Sequence, residues 1–164
     1  MELLQGVATG APVWVWPLLA LLIFVGYRSS KARSIPITLV YLLPLLGVFT
    51  LETVHSLPVP AAAWTGFGLG YILGIFVFYR WQENWLVGLE GRSVLVAGEW
   101  ITLAILMVIF WANFVSETIK AISYGTYESA LFGACFAAVL GFASGSFLGR
   151  SVRTMIFVRN SQSA

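Results

Sequence analysis

The chain has 164 residues, of which 59% are hydrophobic and 10% charged, and a mean hydropathy of +0.89. Soluble domains average about 45–50% apolar and about 25% charged residues, so a water-soluble fold of this size could not hide the apolar surface, and lipid is the expected solvent. The formal charge of +2 is too small to suggest a nucleic-acid partner, and the single cysteine, Cys135, excludes an intrachain disulfide or a multi-thiolate cluster.

Met1 to Ala11 carries only Glu2 and has no basic n-region, so no cleavable signal peptide is expected. Pro12 opens the first apolar run, bracketed by Trp14, Trp16 and Tyr27 in the manner of interfacial aromatics. A crossing of ~30 Å needs about 20 helical residues, so the first span is drawn at 8–27. Arg28, Lys31 and Arg33 follow. The second span, 36–55, contains Pro44, which should kink it, and carries Glu52 and His55 at its far end. Pro58 and Pro60 mark a turn into the third span, 61–79. In the long connection that follows, Trp85–Leu89 and Ser93–Val96 flank Glu90, Gly91 and Arg92, the pattern of a small hairpin at the membrane surface. Gly98 and Glu99 open the fourth span, 99–122, where an acidic side chain suits a helix start. Tyr124 to Tyr127 turn into the fifth span, 128–149, and a polar tail with Arg153 and Arg159 is expected from Ser151 onward.

Two ladders of small residues stand out. Gly133, Ala137, Gly141, Gly145 and Gly149 recur every fourth residue in the fifth span, and Gly66, Gly70 and Gly74 do so in the third. Residues four apart share a helix face, and small residues there let membrane helices approach backbone to backbone. With five alternating spans the third and fifth run in the same direction, so the ladders are expected to pack as a parallel pair, Ala62 beside Ser129. Gly145 and Gly149 are then left over to accept a second copy, a lipid tail or a partner helix.

Five spans place Arg28, Lys31, Arg33, Arg80, Arg92, Arg150, Arg153 and Arg159 on one side and only Lys120 on the other. The positive-inside rule then puts the N-terminus outside and the C-terminus in the cytoplasm. Arg80, Arg92, Arg150 and Arg153 are candidates for anionic lipid head groups, against the simpler reading that they only set topology. Trp64, Trp81, Trp85, Trp100 and Trp111 are expected mostly as interfacial anchors.

On the outer side, Glu52 and His55 share one helix face, and Asn113 and Glu117 another. Together they are a candidate outward-opening polar cluster for proton relay or a cationic ligand, weighed against hydrated helix ends and a local Glu117–Lys120 pair. One histidine and no aspartate make a metal site or an Asp-based triad an unsuitable reading, and no cofactor is expected.

In VAGEWITLAILMVIF (Val96 to Phe110) and ASGSFLGR (Ala143 to Arg150) the chain resembles a family of small bacterial inner-membrane proteins of unknown function. The matching residues are Gly98, Trp100, Leu103, Phe110, Gly145, Gly149 and Arg150. The resemblance implies a bacterial inner-membrane setting and contributes no mechanism.

The expected fold is a single all-α domain, 1–164: a bundle of five transmembrane helices with a short cytoplasmic hairpin between helices three and four. The expected role is a non-enzymatic accessory or interaction protein of the inner membrane, with a homo-oligomer or a membrane-protein partner. The alternatives are a small transporter or channel using the polar cluster and, third, a membrane enzyme or redox protein.

Overall fold

The computed structural model describes residues 15–90 and 93–162. The start of the first expected span, with Pro12 and Trp14, and the candidate head-group residue Arg92 lie outside the described residues. In chain order the elements are α1 (Val15–Ser29), β1 (Arg33–Pro36), α2 (Ile37–Leu42), a 3-10 segment (Leu43–Gly47), α3 (Val48–His55), α4 (Pro60–Gln82), a 3-10 turn (Glu83–Trp85), β2 (Leu86–Glu90), β3 (Ser93–Val96), α5 (Ile101–Ile122), α6 (Tyr124–Tyr127) and α7 (Ala130–Gln162). The chain is mostly helical. Among the described residues three helices are long and apolar enough to cross a membrane: Pro60–Gln82, Ile101–Ile122 and Ala130–Ser161. Trp16–Ser29 is a shorter apolar helix.

The region expected as one kinked span, 36–55, is broken into α2, the 3-10 segment and α3. Proline explains the break. In a regular helix the carbonyl of Val40 would accept from the N–H of residue 44, and Pro44 has none. The hydroxyl of Ser151 on α7 donates to that Val40 carbonyl instead, at 2.7 Å. Nearly two turns past the proline, Thr50 Oγ1 donates to the Gly47 carbonyl (2.6 Å) and lies 2.9 Å from Ser144 Oγ, so Ser144 is the hydroxyl left to donate across to Thr50. Further on, Val54 joins Ala137 and Leu140 of α7 in a buried apolar cluster. The partners on α7 fall from 151 through 144 to 137 as this segment advances, so the broken helix runs antiparallel to α7.

The seam between α4 and α7 is the most extensive helix pairing. A Cβ added at Gly66, Gly70 or Gly74 would collide with the backbone of Ala134, Ala138 or Phe142, and one at Gly141, Gly145 or Gly149 would collide with the backbone of Phe67, Tyr71 or Ile75. Both series rise together, so the two helices lie parallel with their backbones interlocked, a setting for weak Cα–H···O contacts. Ala137 is buried, and a Cβ on Gly133 would meet open space. No small residues are left over at the far end. Gly145 and Gly149 are covered by α4 itself, because the contacts of each helix fall alternately on the two sides of a shared stripe.

Beyond Gly149 the chain does not become a tail. It continues as α7 for 33 residues in all, about 50 Å at 1.5 Å per residue, and its last turns pack on a sheet. The β2–β3 hairpin is antiparallel, with a bulge between Leu86 and Gly88, and β1 adds to the free edge of β3 to give the order β1-β3-β2. Val94 and Val96 point from β3 onto Val158 of α7, with Ile35, Ile37, Trp85 and Leu86 around them. The third strand, a four-residue edge strand ending in Pro36, was not expected from the sequence. Trp85 belongs to this cluster rather than to an exposed belt, and its indole Nε1 is buried with no hydrogen-bond partner.

Candidate functional site

The densest polar cluster among the described hydrogen bonds lies where α4 ends, α5 begins and α7 passes both. The approach is set by glycine. A Cβ on Gly98 would strike the carbonyl of Ser30, and this closeness lets the Glu99 N–H donate to the Ser29 carbonyl at 2.9 Å. Glu99 is thereby carried inward, to 3% exposure. Its carboxylate forms an ion pair with Arg150 of α7 and accepts from Thr102 Oγ1 at 3.0 Å. The Arg150 guanidinium also donates from Nε to Gln82 Oε1 and from Nη1 to Thr102 Oγ1, each at 3.1 Å. Thr102 accepts from the arginine and donates to the glutamate, so each named group has a partner of the right sense. Gln82 itself is buried. Chemically the cluster holds three helices together: a charge-assisted fork of this kind gives direction as well as attraction.

This geometry relocates two sequence-level assignments. Glu99, read as a helix-start residue, is an interhelical ligand of a guanidinium. Arg150, read as a head-group candidate, has a side chain only 11% accessible and points into the cluster. Arg80 is exposed, with its guanidinium 5.0 Å from the ring of Phe76, and Arg153 is half-buried over Tyr79 at 5.4 Å. Lys31 stacks similarly on Tyr27.

At the opposite end, Glu52, His55, Asn113 and Glu117 are all exposed. Asn113 Nδ2 donates to the carbonyl of Ile109, one turn back on its own helix, at 2.8 Å. Among the described residues no hydrogen bond or ion pair joins these four side chains to one another, and Lys120 lies over the ring of Tyr127 rather than against Glu117. No group of three His, Cys or Glu side chains suited to a metal ion occurs among the described residues.

The residues that sequence reasoning missed are Glu99, Gln82 and Thr102 at one end and the buried Ser144 and Ser151 along α7. One signal was available: Glu99 and Arg150 both flank apolar helices at the same expected end of the bundle, with opposite charge.

The chain is 36% identical over 77 residues to a protein of Pasteurella multocida (strain Pm70) that is named only as uncharacterised. The match covers 44% of this chain and 57% of the relative's length. No family model matches the chain, and no solved structure matches it. The likeness therefore joins this chain to a protein of unknown function.

Proposed function

We propose that the chain is an integral protein of a bacterial cytoplasmic membrane that crosses it five times, N-terminus outside and C-terminus inside, and serves as an accessory or interaction protein. The observation that carries this reading is how its inward-facing polar side chains are used. Glu99, Arg150, Gln82 and Thr102 bind one another across three helices, and Ser144 and Ser151 brace the broken helix. These groups hold helices in place, which suits a scaffold presenting a fixed surface. The charge distribution supports the orientation: Arg28, Lys31, Arg80, Arg150, Arg153 and Arg159 belong to the end that carries the sheet, and Lys120 to the other.

Purification in mild detergent followed by native mass measurement tests the role. The expected result is a homo-oligomer or a stable membrane-protein partner; a lone monomer whose Glu52 and Glu117 line a water-accessible path would replace this reading with transport. In a Cys135→Ala background, Ser123→Cys should react with a membrane-impermeant maleimide from outside intact cells, and Ser30→Cys only after permeabilisation. The reverse pattern would overturn the orientation.

A further inference from the structure

Between α4, α5 and α7 lies an apolar cleft of about 400 Å³, lined by Leu69, Gly70 and Leu73 of α4, Val108 of α5, and Ala138, Val139 and Phe142 of α7. Its floor is the small-residue stretch Gly70–Ala138, where the two backbones touch, and larger side chains on three helices form its walls. Leu69 and Leu73 are among the more exposed large apolar side chains of the chain, at 68% and 54%. The α4 wall does not stop at the cleft. Leu69, Leu73, Phe76 and Arg80 follow one another at helical spacing on one face, and the Arg80 guanidinium sits over the Phe76 ring at the end of that row. An apolar trough thus leads, along one helix face, to an exposed cation.

We propose that this trough binds an anionic phospholipid, with one acyl chain in the α4–α5–α7 cleft and its phosphate at Arg80. The inference rests on the reading of the chain as membrane-spanning. Length agrees with it. Eleven residues separate Leu69 from Arg80, about 16 Å of helix axis, close to the ~15 Å depth of one leaflet of a ~30 Å hydrocarbon core. Charge agrees too, since Arg80 belongs to the basic end of the bundle. A guanidinium presents a planar fork suited to phosphate oxygens, and its contact with the Phe76 ring holds it at the end of the row. A second protein chain would have to fill the cleft with side chains while leaving Arg80 a separate partner; a lipid satisfies both with one molecule.

The test is native mass spectrometry of the full chain in mild detergent, titrated with phosphatidylglycerol and, in parallel, phosphatidylcholine. The parent should retain one phosphatidylglycerol in preference to phosphatidylcholine. Arg80→Gln should lower phosphatidylglycerol retention roughly fivefold, the worth of one basic residue near an anionic surface, and bring it to the phosphatidylcholine level. Val108→Trp fills the cleft from α5 without entering the α4–α7 seam, and should lower retention of both lipids. Circular dichroism checks that each variant is still folded, and a misfolded Val108→Trp is replaced by Val139→Phe. Parent-like retention in both variants overturns the proposal, as does loss of a dimer rather than of lipid on filling the cleft. Failure of the membrane reading itself shows separately, as release of the chain from membranes by alkaline carbonate.

Discussion

Removing one member of the Glu99–Arg150 pair is the most demanding perturbation of the fold. Glu99 is 3% exposed and Arg150, 51 positions downstream, reaches it from α7. In Glu99→Gln the guanidinium keeps its bonds to Gln82 and Thr102 but loses the Glu99 carboxylate, and in Arg150→Met a buried carboxylate keeps the Thr102 hydroxyl but loses its guanidinium. Breaking such a pair on one side costs about 3–5 kcal/mol, whereas replacing both partners by neutral groups of similar volume is often close to neutral. The double variant Glu99→Gln/Arg150→Met should therefore be more stable than either single variant. Arg150→Lys should fall between, because an ammonium cannot reproduce the fork to Gln82, Thr102 and Glu99 at once. Chemical unfolding in mild detergent, followed by circular dichroism, gives the four free energies of the cycle. Single variants within about 1 kcal/mol of the parent, or a double variant as unstable as the sum of the singles, would refute the brace.

Two further predictions concern backbones. Gly70→Leu should destabilise by at least ~1–3 kcal/mol through overpacking against Ala138, while Gly68→Ala, two residues away with nothing within 4 Å of its added carbon, should be neutral or gain up to ~1 kcal/mol. Thermal unfolding of the pair checks this, and equal effects would remove the seam from the account. Ser151→Ala should cost about 1 kcal/mol by leaving the Val40 carbonyl without its cross-helix donor. In a Pro44→Ala background the restored N–H can serve that carbonyl, so the same serine change should cost less; an unchanged penalty would refute the link between the proline and the serine.

What could be read in the sequence follows from range. Composition marks the solvent, and local signals such as Pro44 and the Glu90-Gly91-Arg92 pattern between two apolar runs point to breaks and hairpins, because each acts within a few residues. The four-residue spacing of Gly66–Gly74 and Gly133–Gly149 was visible, but which backbone each glycine lies against is a register between distant helices, and no local pattern encodes it. The same limit hid the burial of Glu99, whose partner is 51 positions away, and the edge strand Arg33–Pro36, whose only justification is the free edge of Ser93–Val96. The extension of α7 to Gln162 was missed for another reason. Arg153 and Arg159 suggested a polar tail from Ser151, yet Arg153 lies over Tyr79 and the preceding Arg150 pairs with Glu99, so charge there accompanies packing.

The parallel seam also sets an order of assembly. The glycine face of α4 has to wait for its parallel partner α7, which brings Ala134, Ala138 and Phe142 against Gly66, Gly70 and Gly74 about 70 residues later. At ~5–20 residues per second that delay is on the order of 3.5–14 s during synthesis. Throughout it α4 carries a bare backbone stripe unmatched, and the broken α2–α3 segment lacks Ser144 and Ser151. α7 is thus the template on which the earlier helices settle, and the nascent chain is most vulnerable to wrong pairing just before α7 emerges.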